Sequence, residues 1–314
     1  MQPSLASHVR SHLLFAMLGL ASVALFWAPL RQLVALSLSD RPYAYILVIP
    51  FISAFFLYLE RSKDFSGIAF CPTVGLPFLT AALTIYGLIA LQVVKIPAEY
   101  LLPVVVLTLV LVWTAVFTLC YGLHTLRAAK FPVLLLLLLV PIPSHLMDRI
   151  VTALQWGSAE ATYALFKLAG VPMFRDGVRF ELPGVGIEVA EECSSIHSAC
   201  ALFITALLVG HLFLKTLRTK VSLSVVSIPI AMLTNAVRIV SIWFLATKVD
   251  VGFLYGNLHR NGGILFSLIA LSILMGFLKL LQELERRGRR KGDAMEDQVS
   301  VSTESDGLVA GVPD

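Results

Sequence analysis

The sequence predicts an all-α polytopic membrane protein: about eight transmembrane helices, one interfacial helix and a small extracytoplasmic β-hairpin. Three observations carry that expectation. Of 314 residues, 58% are hydrophobic and only 14% charged, too little charge to cover a water-facing surface of this size. Apolar runs of about the 20 residues needed to cross the hydrocarbon core recur at 12–30, 43–60, 74–94, 100–121, 131–147, 193–215, 221–247 and 262–283. The lysines and arginines fall in the gaps. With both termini placed inside, fourteen lie on the inner side and nine on the outer, the asymmetry of a chain with both ends cytoplasmic.

The individual elements follow from local signals. The N-terminal run lacks a small-residue cleavage site and reads as a retained first span. The second run carries Pro50 and the fifth Pro141 and Pro143, so kinks or re-entrant turns are expected there. Residues 148–170 have helical periodicity and charged ends, the pattern of a helix lying in the interface. Residues 171–190 switch to short β-prone runs broken at Asp176-Gly177 and Pro183-Gly184, a hairpin or small meander on the outer face that leads into Cys193. Residues 1–283 thus form one transmembrane domain. Residues 284–314, basic and then acidic, with Ser and Gly and no aromatics, are expected to be a disordered cytoplasmic tail.

Composition also excludes. A net charge of +4 dispersed over short loops does not make a nucleic-acid surface. The four cysteines, Cys71, Cys120, Cys193 and Cys200, show neither CxxC nor Cys/His ligand spacing, so no metal, cofactor or disulfide framework is expected.

Ionisable groups inside a span are costly, and each demands a reason. Arg238, in TNAVRIVSIWFL, sits well inside the seventh span. It either snorkels to the interface, pairs with an acid, or serves a site. Cys193 opens the sixth span after Glu191 and Glu192, at a helix start whose partial positive charge favours thiolate. Arg238 would act in the same sense, or donate to an oxyanion. The glutamates oppose ionisation, so Glu192 is expected to point away or to bind an incoming chain. His259, in the outer loop GNLHRNGG, suits a general base that later protonates a leaving amine. His197 competes for that role, one turn after Cys193 on the same face. Asn235 lies three residues before Arg238 and faces the same way, able to hydrogen-bond it or a reacting carbonyl. Cys200 reads as packing.

In order along the chain, Cys193-Ser194-Ser195, Asn235-Ala236-Val237-Arg238-Ile239, and His259 followed by Gly262-Gly263 together resemble the exosortase/archaeosortase family of membrane cysteine proteases or transpeptidases. The segments DRPYAYILVIPFISAFFLYLER and PIPSHLMDRI extend the resemblance, so that it covers most of 40–283. Ser195 departs from it, since the family commonly has glycine there. The resemblance implies a sorting enzyme of the bacterial inner membrane whose catalytic residues are Cys193, Arg238 and His259, with Asn235, Glu192 and His197 in support. Its partners would be exported proteins bearing a C-terminal signal, a transmembrane helix and a basic tail, as in the PEP-CTERM type, with water or an amine on a second molecule as acceptor. Two other readings remain open from the residues alone. One is a transporter or flippase in which Arg238 binds an anionic head group; the other is a structural subunit of an envelope complex.

Overall fold

A computed structural model describes the backbone of residues 5–64, 70–182, 185–188, 196–248 and 257–309, with side chains for all of these except 5–8, 41, 62–64, 185–188, 257–263 and 291–309. The chain divides into two compact units, 1–150 and 151–314. It is an all-α polytopic membrane protein: among the described residues six helices are long and apolar enough to span, or up to eight if each of two bent pairs is one span.

In the first unit, α1 (Leu5–Leu25) meets α2 (Trp27–Ser39) at 75°. The first span expected at 12–30 therefore straddles a bend, centred on Phe26, whose ring is fully buried. A 3-10 segment, Arg41–Leu47, runs into α3 (Ile49–Asp64); α4 (Pro72–Ala90) packs on α5 (Ala98–Ala128). Helix α5 is the core of this unit. Its Leu109, Val112, Val116 and Cys120 are buried together with Phe26 of the α1–α2 bend and Ala82 of α4. In lipid, helices associate by close van der Waals packing rather than by removal of apolar surface from water, and this stripe supplies that packing.

The fifth run, expected at 131–147 with a kink or re-entrant turn at its prolines, is broken there. Helix α6 (Lys130–Leu135) and a 3-10 turn, Leu136–Leu139, make only ten residues, about 15 Å at helical rise. Pro141 and Pro143 then supply no N–H, and each drives the residue before it out of helical conformation; Val140 is extended at ψ 114°. The chain turns 97° into α7 (Ser144–Leu168), which contains the segment expected as an interfacial helix. Two hydroxyls satisfy backbone carbonyls in this stretch: Tyr43 donates to Ile142 O at 2.8 Å and Ser53 to Pro132 O at 2.7 Å.

In the second unit the hairpin gains a strand. β1 (Phe174–Asp176), β2 (Arg179–Leu182) and β3 (Val185–Glu188) form an antiparallel meander in sequence order. Phe174 pairs with Glu181, and Phe180 with Ile187. The first turn has Gly177 at φ +61°, the left-handed value that a two-residue turn with glycine in its first position uses.

Three helices complete this unit: α8 (Ile196–Phe213), α9 (Leu217–Lys248) and α10 (Asn257–Val309). They pack on one another in all three pairings. The backbone of α10 is helical through the segment that composition assigns to a tail; whether side chains beyond 290 pack lies outside the described residues.

Candidate functional site

The geometry of the α8–α9–α10 bundle follows from its contacts. α8 and α10 run parallel with a constant offset. Ser198 Oγ lies 3.3 Å from Ser267 Oγ, 69 residues on. Toward the other end Gln282 donates to Phe213 O, again 69 residues apart, and the Lys215 N–H donates to Glu285, 70 apart. A register held over both ends means the helices do not diverge. α9 follows α8 after a three-residue connection, so the two are antiparallel; Gly210 of α8 faces Leu223 and Lys220 of α9, 3.5 and 3.8 Å from where a Cβ would stand. The starts of α8 and α10 and the last third of α9 therefore share one end of the bundle.

At that end the structure describes three of the six expected site residues in full. Asn235 is 2% exposed; Arg238 is half-buried and His197 exposed. None of the three is unpartnered, as buried polar groups in an apolar bundle require. His259 lies in the first turn of α10, helix rather than the loop expected, and its side chain is outside the described residues. So are Cys193 and Glu192 entirely. Cys200, expected as packing, is a half-buried free thiol on α8.

The sequence reading missed what steadies the α9 side of this end. Ile239 and Trp243, one residue and just over one turn beyond Arg238, are buried with Phe166 of α7 and Phe180 and Leu182 of β2. The Phe166 ring meets Trp243 edge-on at 5.2 Å. One position of α7 lies close against α9: a Cβ on Gly157 would stand 2.5 Å from Met232 Sδ, so the thioether would have to swing aside.

The sheet is clasped to α7 by Arg175. Its Nη2 donates to Glu160 Oε1 at 2.6 Å and its Nε to Gly177 O at 2.7 Å. The guanidinium stands 5.3 Å from the Tyr163 ring centre, 5.6 Å from Phe180 and 6.0 Å from Trp156. The Glu160 hydrogen bond raises the Arg175 pKa above its ordinary value, so this cation persists at any working pH. A recoverable signal did exist. Trp156, Glu160 and Tyr163 are spaced i, i+4, i+7 on α7, one face of the helix, and Arg175 is the cation of β1, just ahead of the first turn.

Set beside known proteins, residues 36–276 match the family of transmembrane exosortases. No curated protein and no solved structure matches the chain.

Proposed function

Since the chain belongs to the transmembrane exosortase family, membrane enzymes that sort exported proteins by transpeptidation, we propose that it is a cysteine endopeptidase or transpeptidase acting through Cys193, Arg238 and His259 at the extracytoplasmic end of α8, α9 and α10. The observation that carries this reading is the register of the bundle. Each step forward along α9 matches a step back along α8. Arg238 opens the last third of α9, at the same end of the bundle as the start of α8 and the first turn of α10, which carries His259. Cys193 precedes Ile196, the first residue of α8, by three residues in the chain and lies outside the described residues. That shared end, together with the family match, supports the assignment.

The chemistry then assigns itself. The Cys193 thiolate adds to the carbonyl carbon of the scissile peptide, and Arg238 donates to the oxyanion that develops. His259, having taken the thiol proton, returns it to the leaving amine as the C–N bond breaks, which leaves an acyl thioester on Cys193. Water or an amine of a second molecule attacks the thioester and regenerates the thiol. Asn235, buried one turn before Arg238, holds the guanidinium or the carbonyl. Glu192 meets the incoming chain. His197 is exposed at the start of α8 and serves as the base if His259 does not.

The test is to express the full chain with an exported protein carrying a C-terminal signal, span and basic tail. Cys193→Ala is expected to leave precursor uncleaved. Arg238→Gln traps little or no thioester by mass spectrometry, and wild type yields a substrate fragment on the Cys193 peptide. Processing by Cys193→Ala at the wild-type rate would overturn the assignment.

A further inference from the structure

At the opposite end of the same bundle the structure holds a basic pocket with no part in this chemistry. A cavity of about 290 Å³ is lined by Phe213, Lys215, Gln282, Glu285, Arg286 and Arg289, at the lower edge of small-ligand sites. Among the described residues Glu285 is the only acid in its wall, and its carboxylate is already committed. It accepts from the backbone N–H groups of Lys215 (3.1 Å) and Thr216 (2.9 Å) and from the Thr219 hydroxyl, closing the free donors at the start of α9. That leaves three cations in the lining. Among the described residues no carboxylate pairs with Lys215, Arg286 or Arg289, whereas the neighbouring Arg287 is bonded to Glu283 at 3.2 Å. Gln282, Glu285, Arg286 and Arg289 fall at i, i+3, i+4 and i+7, one face of α10.

We propose that this pocket binds the phosphate head group of an anionic membrane lipid. Three facts select a lipid over a soluble anion. The pocket lies where the apolar part of α8 ends, at Phe213. That ring, 55% exposed, and Leu212 beside it, 47% exposed, give acyl chains an apolar wall continuous with the cations. The guanidinium groups of Arg286 and Arg289 are one turn apart, spaced to share a single phosphodiester with Lys215 as a third charge. Basic pockets between spans at the hydrocarbon edge are the geometry in which anionic head groups are held. Because Glu285 ties α10 to the α8–α9 connection, a lipid seated there touches α8, that connection and α10.

The experiment is native mass spectrometry of the full-length protein in detergent, titrated with dioleoyl phosphatidylglycerol and, separately, dioleoyl phosphatidylcholine. Wild type is expected to retain phosphatidylglycerol at least tenfold better than phosphatidylcholine, with the difference shrinking as salt rises. Arg286→Gln with Arg289→Gln should lose about tenfold of the phosphatidylglycerol affinity. Arg287→Gln with Arg290→Gln, which removes the same charge outside the pocket, should stay within about twofold. Replacement of both pocket arginines by lysine should retain most of the binding. Equal loss in the two glutamine pairs would reduce the pocket to diffuse attraction and overturn the site. Equal retention of the two lipids by wild type, a reading that needs no variant to fold, would overturn it as well. So would displacement of the lipid by an equimolar amount of glycerol phosphate, which would make the ligand a soluble phosphate.

Discussion

Helices α5 and α9 cover 31 and 32 residues, α5 with a break at Gly122 (φ +85°), and each carries an internal proline, Pro103 and Pro229. Each is the helix on which its unit packs. They differ in how their buried polar residues are satisfied. In α5, Thr108, Thr114 and Thr118 return their hydroxyl protons to the carbonyls of Val104, Val110 and Thr114, four residues back. Such a threonine needs nothing beyond its own helix. In α9, Thr234 does the same with Ile230, but Asn235 and Arg238 cannot. An amide with both donors and acceptors, and a guanidinium with five donors, exhaust any one carbonyl. Each engages at least one partner. A self-satisfied polar residue is scaffolding; one that needs outside partners marks a place where the fold has been organised for another purpose.

Substitutions can break that contrast, and the largest effects should fall on α9 and on the proposed nucleophile, Cys193. Cys193→Ala should abolish processing outright. Arg238→Gln should lower turnover about 10²–10³-fold, the usual cost of deleting one oxyanion donor, while Arg238→Lys recovers only part because the planar fork is lost. Both are to be read as cleaved precursor over time, with thermal unfolding in detergent as the control for folding. A comparable loss of cleavage and of folding in Arg238→Lys would make the arginine structural and erase the distinction from α5.

Asn235→Ala is expected to be intermediate, about tenfold in turnover, since it removes a positioning contact rather than a reacting group. The informative readout is the companion Asn235→Asp. An aspartate beside Arg238 pairs with it and lowers its capacity to stabilise an oxyanion, so turnover should fall further than with alanine and KM should change little. If Asn235 serves packing alone, alanine will be the worse of the two.

The sheet and α7 sharpen the comparison from outside. Phe180→Ala opens a cavity against Phe166, Ile239 and Trp243, and Phe→Ala in a packed site costs about 3–5 kcal/mol. Arg175→Gln removes the clasp to Glu160, a contact at a half-wet surface worth about 1 kcal/mol or less. Both should lower the unfolding temperature in that order. Because the cluster begins one residue after Arg238, Phe180→Ala should also lower turnover more than Arg175→Gln.

Much of this was legible in the sequence. Hydropathy located the spans because apolar length is a property of each segment by itself, and Arg238 and Asn235 announced themselves as polar residues in apolar surroundings. The misplacement that remains is the bend at Phe26, which a window of hydropathy averages across. The turn after Val140 and the meander were legible, at Pro141 and Pro143 and at the breaks Asp176-Gly177 and Pro183-Gly184. Arg175 and Glu160 are fifteen residues apart, and Glu285 reaches Lys215 across seventy. The first pair left a partial trace in the spacing of Trp156, Glu160 and Tyr163; no local pattern marks the second. Glu285 in particular lies just past the boundary expected for the tail, yet it holds α10 to the other two helices.

The smallest predicted effect is on α5, and it tests the premise most directly. Thr118 is 1% exposed and donates to Thr114 O at 2.7 Å. Valine is nearly the same shape and removes only that hydroxyl. The Thr114 carbonyl keeps its place in the helical ladder, so no acceptor is orphaned, and the net loss is that of one neutral hydrogen bond, about 0.5–1.5 kcal/mol, partly regained as apolar contact in lipid-like surroundings. Thr118→Val should therefore shift the unfolding temperature by no more than a degree or two either way and leave cleavage within twofold of wild type. A tenfold loss of cleavage would mean that α5's hydroxyls face a partner beyond their own helix, and the line drawn between the two long helices would have to move.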